Sequence, residues 1–121
     1  MRAIKRLNIE IKDGELDPLP YYTLTQKSPD NILEWLATIQ NVPNPAFEGR
    51  VFHLEIICPP EYPIKPPKIR FLDISEADLE NLPKDHISAE GYICADILNG
   101  QWAPSWTIRG LVYAICSILA A

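Results

Sequence analysis

Residues 47–71, FEGRVFHLEIICPPEYPIKPPKIRF, decide the fold. Two apolar runs, Val51–Cys58 and Lys68–Leu72, flank a proline-rich connection, PPEYPIKPP. Both runs are rich in β-branched and aromatic residues, which suit a pleated, half-buried surface. Proline cannot donate to a strand ladder, so its clustering here marks a loop and leaves the strands on either side intact. Working back toward the N-terminus, Tyr21–Thr25 and Ile32–Gln40 read as two more strands, bounded by the turn-forming stretches KSPDN and NVPNPAFEG. Short connections between successive strands favour an antiparallel meander, because a parallel sheet needs long crossovers.

Helices are expected at both ends of this meander. Near the start, Ile4, Leu7 and Ile11 recur at helical spacing. Leu7, Ile9 and Ile11 also alternate as a strand would, but the stretch is read as a helix ending near Asp13-Gly14, before the proline-broken DPLPYY. At the other end, Ile108, Leu111, Val112, Ile115, Ile118 and Leu119 form one apolar stripe, and Ser105 or Thr107 is placed to cap the first turn. Gly110 weakens that helix by about 1 kcal/mol relative to alanine. The expected class is α+β: a sheet with one face covered by helix.

With 121 residues, 47% of them apolar and 22% charged, the chain has the size and composition of one globular domain, spanning 1–121. No apolar run is long enough for a membrane span, and MRAIKRLNIEIKDGEL lacks the apolar core of a signal peptide. A cytoplasmic protein without a membrane role is expected. A net charge of −5 argues against nucleic-acid binding, which needs a basic surface. Basic residues do cluster at Arg2, Lys5 and Arg6, and acids dominate Asp73 to Asp85. Three cysteines, Cys58, Cys94 and Cys116, are an odd and sparse set, unlike a secreted disulfide framework. There is no C-x-x-C, and His53 and His86 lie far apart, so no metal site is expected.

Cys94 differs from the other two cysteines. It sits in GYICADILNGQWAPSWTI, residues 91–108, flanked by glycines and followed by Trp102, Pro104 and Trp106. Cys58 and Cys116 lie in apolar periodic runs and read as core. Taken in order, several stretches resemble the ubiquitin-conjugating enzymes, the E2 family. They are AIKRL near the start, Trp35 in NILEW, residues 47–71 with their Y-P-x-x-P-P loop, GYICADIL, Trp102 eight residues after Cys94, and APSWTIRGLVYAICSIL. The resemblance covers nearly the whole chain. It implies a UBC-like fold, a four-stranded antiparallel meander packed on helix. It also implies that Cys94 carries ubiquitin or a ubiquitin-like protein as a thioester. A cysteine suits that task, since its low-pKa thiol can both attack an activated carboxyl terminus and leave when an amine attacks. No cofactor is implied; ATP is used by the partner activating enzyme.

Three departures from the family pattern accompany this resemblance. The family's asparagine eight residues before the cysteine is His86 here, in KDHIS. An imidazole there can donate a hydrogen bond to an oxyanion or take a proton from the incoming amine, so His86 is expected to assist aminolysis. The stretch DISEADLENLPKD is longer than usual and acidic, read as a solvated loop insertion able to form a short helical turn, with a specificity or partner-contact role as the alternative. Beside the family pattern, the sequence is expected to lack the usual last C-terminal helices with their acidic loop, and Asp96 is then the nearest candidate carboxylate to Cys94. The resemblance assigns Asp96 to the donor tail or the local backbone.

For partners, the resemblance implies an activating enzyme on the first helix, at Lys5 and Arg6. A RING-type E3 ligase would meet two loops, at Tyr62, Ile64 and Pro66 and at Trp102, Pro104 and Ser105, with Ile64 where many members carry phenylalanine; the alternative is that Tyr62 and Pro66 chiefly fix the loop and plug the core edge while Trp102 packs beneath the active site. Two alternatives remain open: a non-catalytic E2-like scaffold that binds ubiquitin, and a hydrolase pairing Cys94 with His86.

Overall fold

In the computed structural model of the chain, residues 2–12, 22–80, 82, 87, 91–93 and 102–120 are described. Helix α1 (Arg2–Lys12) precedes strands β1 (Tyr22–Ser28), β2 (Asn31–Ile39), β3 (Phe52–Ile57) and β4 (Lys68–Leu72). A short helix α2 (Glu76–Glu80), a two-residue strand β5 (Tyr92–Ile93) and helix α3 (Ile108–Ala120) follow. The strands form one sheet in the order β1-β2-β3-β4-β5, with every neighbouring pair antiparallel. The expected meander is present with each strand boundary within three residues. It gains a fifth strand where the sequence reads as irregular.

Alternation along the strands sorts the sheet into two faces. Trp35, Ala37, Ile39, Leu54, Ile56, Ile69 and Phe71 are buried in a single core with Ile108, Leu111, Val112, Ile115 and Leu119 of α3. Phe47, Phe52 and Phe71 continue it edge-to-face, with centroids 5.3 and 5.7 Å apart. On the opposite face Glu55 lies between Lys27, at 2.6 Å, and Arg70, at 2.9 Å, forming a charged ladder across β1, β3 and β4. Hydrogen bonds from Lys27 first and Arg70 second hold the Glu55 carboxyl below its ordinary pKa.

Helix α1 is turned differently from its apolar spacing. Of Ile4, Leu7 and Ile11 only Leu7 is in the core, while Ile4 and Ile11 stay 39% and 42% exposed. The buried face is Ala3, Leu7 and Glu10. A carboxylate on the inner face of a helix requires partners, and Glu10 has them, as described below. The acidic stretch after β4 does form its helical turn, α2, with Ser75 Oγ accepting from the Asp78 N–H at 3.1 Å as an N-cap. This stretch is less solvated than its charge implies, because Ile74 and Leu79 pack against the core and Leu82 is buried in it.

Of the two residues able to cap α3, Thr107 does so, accepting from the Gly110 N–H at 3.0 Å through Oγ1. Among the described residues, no helix is long and apolar enough to cross a membrane.

Candidate functional site

Cys94, His86 and Asp96 lie outside the described residues, so the site is built from the elements on either side of them. Before Cys94 the last described residues are those of β5. Ile93 pairs with Ile69, Tyr92 pairs with Arg70, and Ile87 forms an isolated bridge to Ile93. Just before β5, Gly91 accepts from the Phe71 N–H at 2.9 Å, with φ at +88°. A side chain there would be strained, which gives the glycine a physical reason. Beside this edge runs a groove of about 700 Å³ whose walls include Ile57, Pro60, Lys65, Pro67, Tyr92 and Ile93. That is within the volume range of ligand clefts.

After Cys94 the first described residue is Trp102, whose indole Nε1–H donates to the Pro63 carbonyl at 2.7 Å. Its ring lies against Tyr62, with centroids 6.0 Å apart and a 41° tilt. The proline-rich loop and the loop that begins at Trp102 therefore meet, as two parts of one surface should. Within the first loop, Tyr62 N–H to Pro59, at 2.9 Å, and Ile64 N–H to Glu61, at 2.8 Å, close successive turns. These turns leave Ile64 53% exposed at the tip.

The expected contact residues separate by burial. Lys5, Ile64, Pro104 and Ser105 are exposed, while Pro66 and Trp102 are half-buried. Two of the set face inward. Tyr62 is fully buried, so its side chain serves the core and offers no surface to a partner. Arg6 donates through a guanidinium N–H to the Trp106 carbonyl at 3.0 Å, and its Nε stands 3.3 Å from Glu10. It contributes little of the basic face read from the sequence.

Both inward-facing residues meet at Glu10, which the sequence reading passed over. Its carboxylate is 2% exposed. One oxygen accepts the Ile108 N–H at 2.9 Å and the other the Tyr62 hydroxyl at 2.5 Å. Ile108 opens α3, so a buried anion sits where unpaired amides and the helix dipole favour one. The Arg6–Glu10 spacing of four was the available signal, an ion-pair spacing on the helix whose Ala3–Leu7–Glu10 face turns inward.

The two described cysteines are accounted for by the core. Burial, with the Glu10 charge second, pushes the Cys58 thiol up to about 12. Burial raises Cys116 to about 11. Both are protonated thiols at neutral pH and poor nucleophiles.

Comparison with known proteins adds the following. A family model described as ubiquitin-conjugating enzyme matches residues 6–121. The fold is similar to that of human ubiquitin-conjugating enzyme E2 G1, at 22% identity and a TM-score of 0.76, over 96% of this chain and 93% of that one. It is also similar to a ubiquitin-conjugating enzyme E2 from Plasmodium falciparum, at 30% identity and a TM-score of 0.75, over 97% of each chain.

Proposed function

The chain belongs to the ubiquitin-conjugating enzyme family, and from that premise we propose that it accepts ubiquitin or a ubiquitin-like protein on Cys94 and passes it to an amine, a lysine side chain of an acceptor protein. The observation that supports this most is the family match across residues 6–121, which contain the G-Y-I-C-A-D-I-L stretch; the remaining cysteines, Cys58 and Cys116, are thiols held protonated by burial.

In the first step the Cys94 thiolate attacks the thioester carbonyl that joins the modifier to an activating enzyme. The activating enzyme's thiolate leaves, and one thioester replaces another at little net cost. In the second step a lysine amine attacks the new thioester, an oxyanion forms, and the Cys94 thiolate is expelled as the isopeptide bond closes. The amine's surplus proton must go to a base or to water. His86 stands at the family's asparagine position and either donates a hydrogen bond to the oxyanion or takes that proton. Asp96 contacts the modifier's tail or the local backbone. Lys5 lies on the exposed side of α1 and is offered to the activating enzyme, and Ile64 and Pro104, each exposed on its own loop, are offered to a RING-type ligase.

The deciding assay incubates the protein with ATP, its cognate activating enzyme and the modifier, and looks for an adduct cleaved by reducing agent. The adduct is expected in the wild type and absent in Cys94→Ala. His86→Ala should still form it but discharge it to lysine more slowly; discharge at the wild-type rate would remove His86 from the mechanism. Binding of the modifier without any adduct would replace the enzyme reading with that of a non-catalytic scaffold.

A further inference from the structure

Glu10 is the point through which three separate parts of the chain are joined. Its two oxygens hold the Tyr62 hydroxyl in the proline-rich loop and the first amide of α3, while Arg6 pairs with it and reaches the Trp106 carbonyl. One residue beyond Tyr62, the Pro63 carbonyl receives the Trp102 indole. Trp102 is where the Cys94-bearing segment rejoins the described structure; its other end is Ile93, paired on β4. A chain of direct contacts thus runs from Glu10 through Tyr62 and Pro63 to Trp102.

This arrangement is more than is needed to fill space. An apolar residue at position 10 would pack in the core without burying a charge. Replacing a buried ion pair by well-packed apolar residues is often neutral or stabilising. What an apolar side chain cannot do is bond two elements at once in fixed directions. Among the described residues, no buried side-chain nitrogen or oxygen lacks a hydrogen-bond partner, so the network is complete and its geometry determined.

We propose that Glu10 is a positioning residue: through Tyr62 and Pro63 it sets the anchor of Trp102, and so the placement of the segment that carries Cys94. The claim rests on the transfer reading above for its functional part, and on geometry alone for its structural part. Glu10 touches neither the modifier nor the acceptor amine, and it acts only through the residues it holds.

The test uses Glu10→Gln and Tyr62→Phe in the full chain, with Ile39→Val as a control for general loss of core stability. Glu10→Gln keeps the shape and one acceptor oxygen, and Tyr62→Phe removes a single hydroxyl, so both are suited to folding. The structural readout is hydrogen exchange at the Trp102 indole N–H, followed by NMR and compared with exchange at amides of β2 and β3. In both variants the indole should exchange about tenfold faster than in the control at matched global stability, the size expected from losing one hydrogen bond to a charged group. The functional readout is single-turnover discharge of the pre-charged protein to free lysine, which should fall about tenfold in both variants, as displaced reacting groups require, and stay at the wild-type rate in Ile39→Val.

Indole protection equal to that of the control overturns the proposal, as does faster exchange with wild-type discharge. If the wild-type protein itself forms no reducible adduct, the transfer reading fails instead, and indole exchange alone decides whether Glu10 positions the loop.

Discussion

Helix propensity and packing pull in opposite directions at Gly110, so Gly110→Ala separates them. Propensity alone says that alanine in the first turns of α3 gains about 1 kcal/mol. The structure opposes this. A Cβ at position 110 would stand 3.2 Å from Cε3 of Trp106 and 3.3 Å from Oγ1 of Thr107. Carbon atoms at their optimum lie about 3.5–4.0 Å apart, so the ring must retreat by several tenths of an ångström. The Trp106 backbone cannot move away with the ring, because its N–H is bonded to Ala103 and its carbonyl to Arg6, so any relief must come from the side-chain torsions. Overpacking of this kind costs about 1–3 kcal/mol. The second contact is with the cap itself, and losing a threonine cap costs about 1 kcal/mol. Set against the propensity gain, the net effect is a loss of about 1–3 kcal/mol, or roughly 4 °C in Tm for each kcal/mol in a domain of this size. Thermal and urea unfolding would measure it, with Trp106→Ala and the double variant completing a cycle. In the Trp106→Ala background the same glycine substitution should cost less or turn stabilising, so the double variant loses less than the two single losses added. A rise of about 4 °C in Gly110→Ala with the tryptophan present would refute the reasoning, because propensity would then have outweighed the contact.

Two further outcomes follow from the charges and thiols. Glu55 titrates below its ordinary value because Lys27 and Arg70 bond its ionised form. It therefore adds stability that is present above its unfolded pKa and lost as pH falls through its lower folded one. Glu55→Gln should cost about 1 kcal/mol at pH 7, a modest figure because both cations are partly exposed, and the deficit should begin to shrink once pH falls below the ordinary carboxylate range and vanish below the lowered folded value; a deficit that persists in strong acid would assign the effect to packing. For the thiols, values of about 11 at Cys116 and about 12 at Cys58 leave thiolate fractions of about 10⁻³ and 10⁻⁴ at pH 8. Iodoacetamide at pH 8 should consequently modify one site, read by mass spectrometry and lost in Cys94→Ala; rapid labelling of Cys58 or Cys116 in the native protein would contradict their burial.

The elements legible in the sequence are those whose signal is local. Strand-like runs bounded by turn-forming stretches marked β1 to β4, prolines marked the loop between β3 and β4, and the i, i+3, i+4 stripe placed α3 and offered Ser105 or Thr107 as its cap. The short strand β5 was not legible. Two residues carry no measurable alternation, and Tyr92-Ile93 is a strand only because β4 offers it an edge. The inward face of α1 was misread for a related reason. Ile4 and Ile11 satisfy the helical spacing, but the helix turns to bring Glu10 to Tyr62 and Ile108, residues 52 and 98 positions away.

For the candidate site the same division holds. A reactive-cysteine motif is a run of neighbouring residues, so Cys94 and its flanking glycine, aspartate and tryptophan could be singled out from the chain alone, together with the family they resemble. Burial is a sum over distant segments and has no local signature. That is why the sequence offered Tyr62 and Arg6 as surface contacts, whereas the tertiary structure places one in the core and turns the other to Glu10 and Trp106. The order of the elements, the meander and the cysteine were determined by the sequence itself. Which polar groups are buried, and which loops they bind together, was decided only when folding removed water from Glu10 and left Tyr62, Ile108 and Arg6 as its partners.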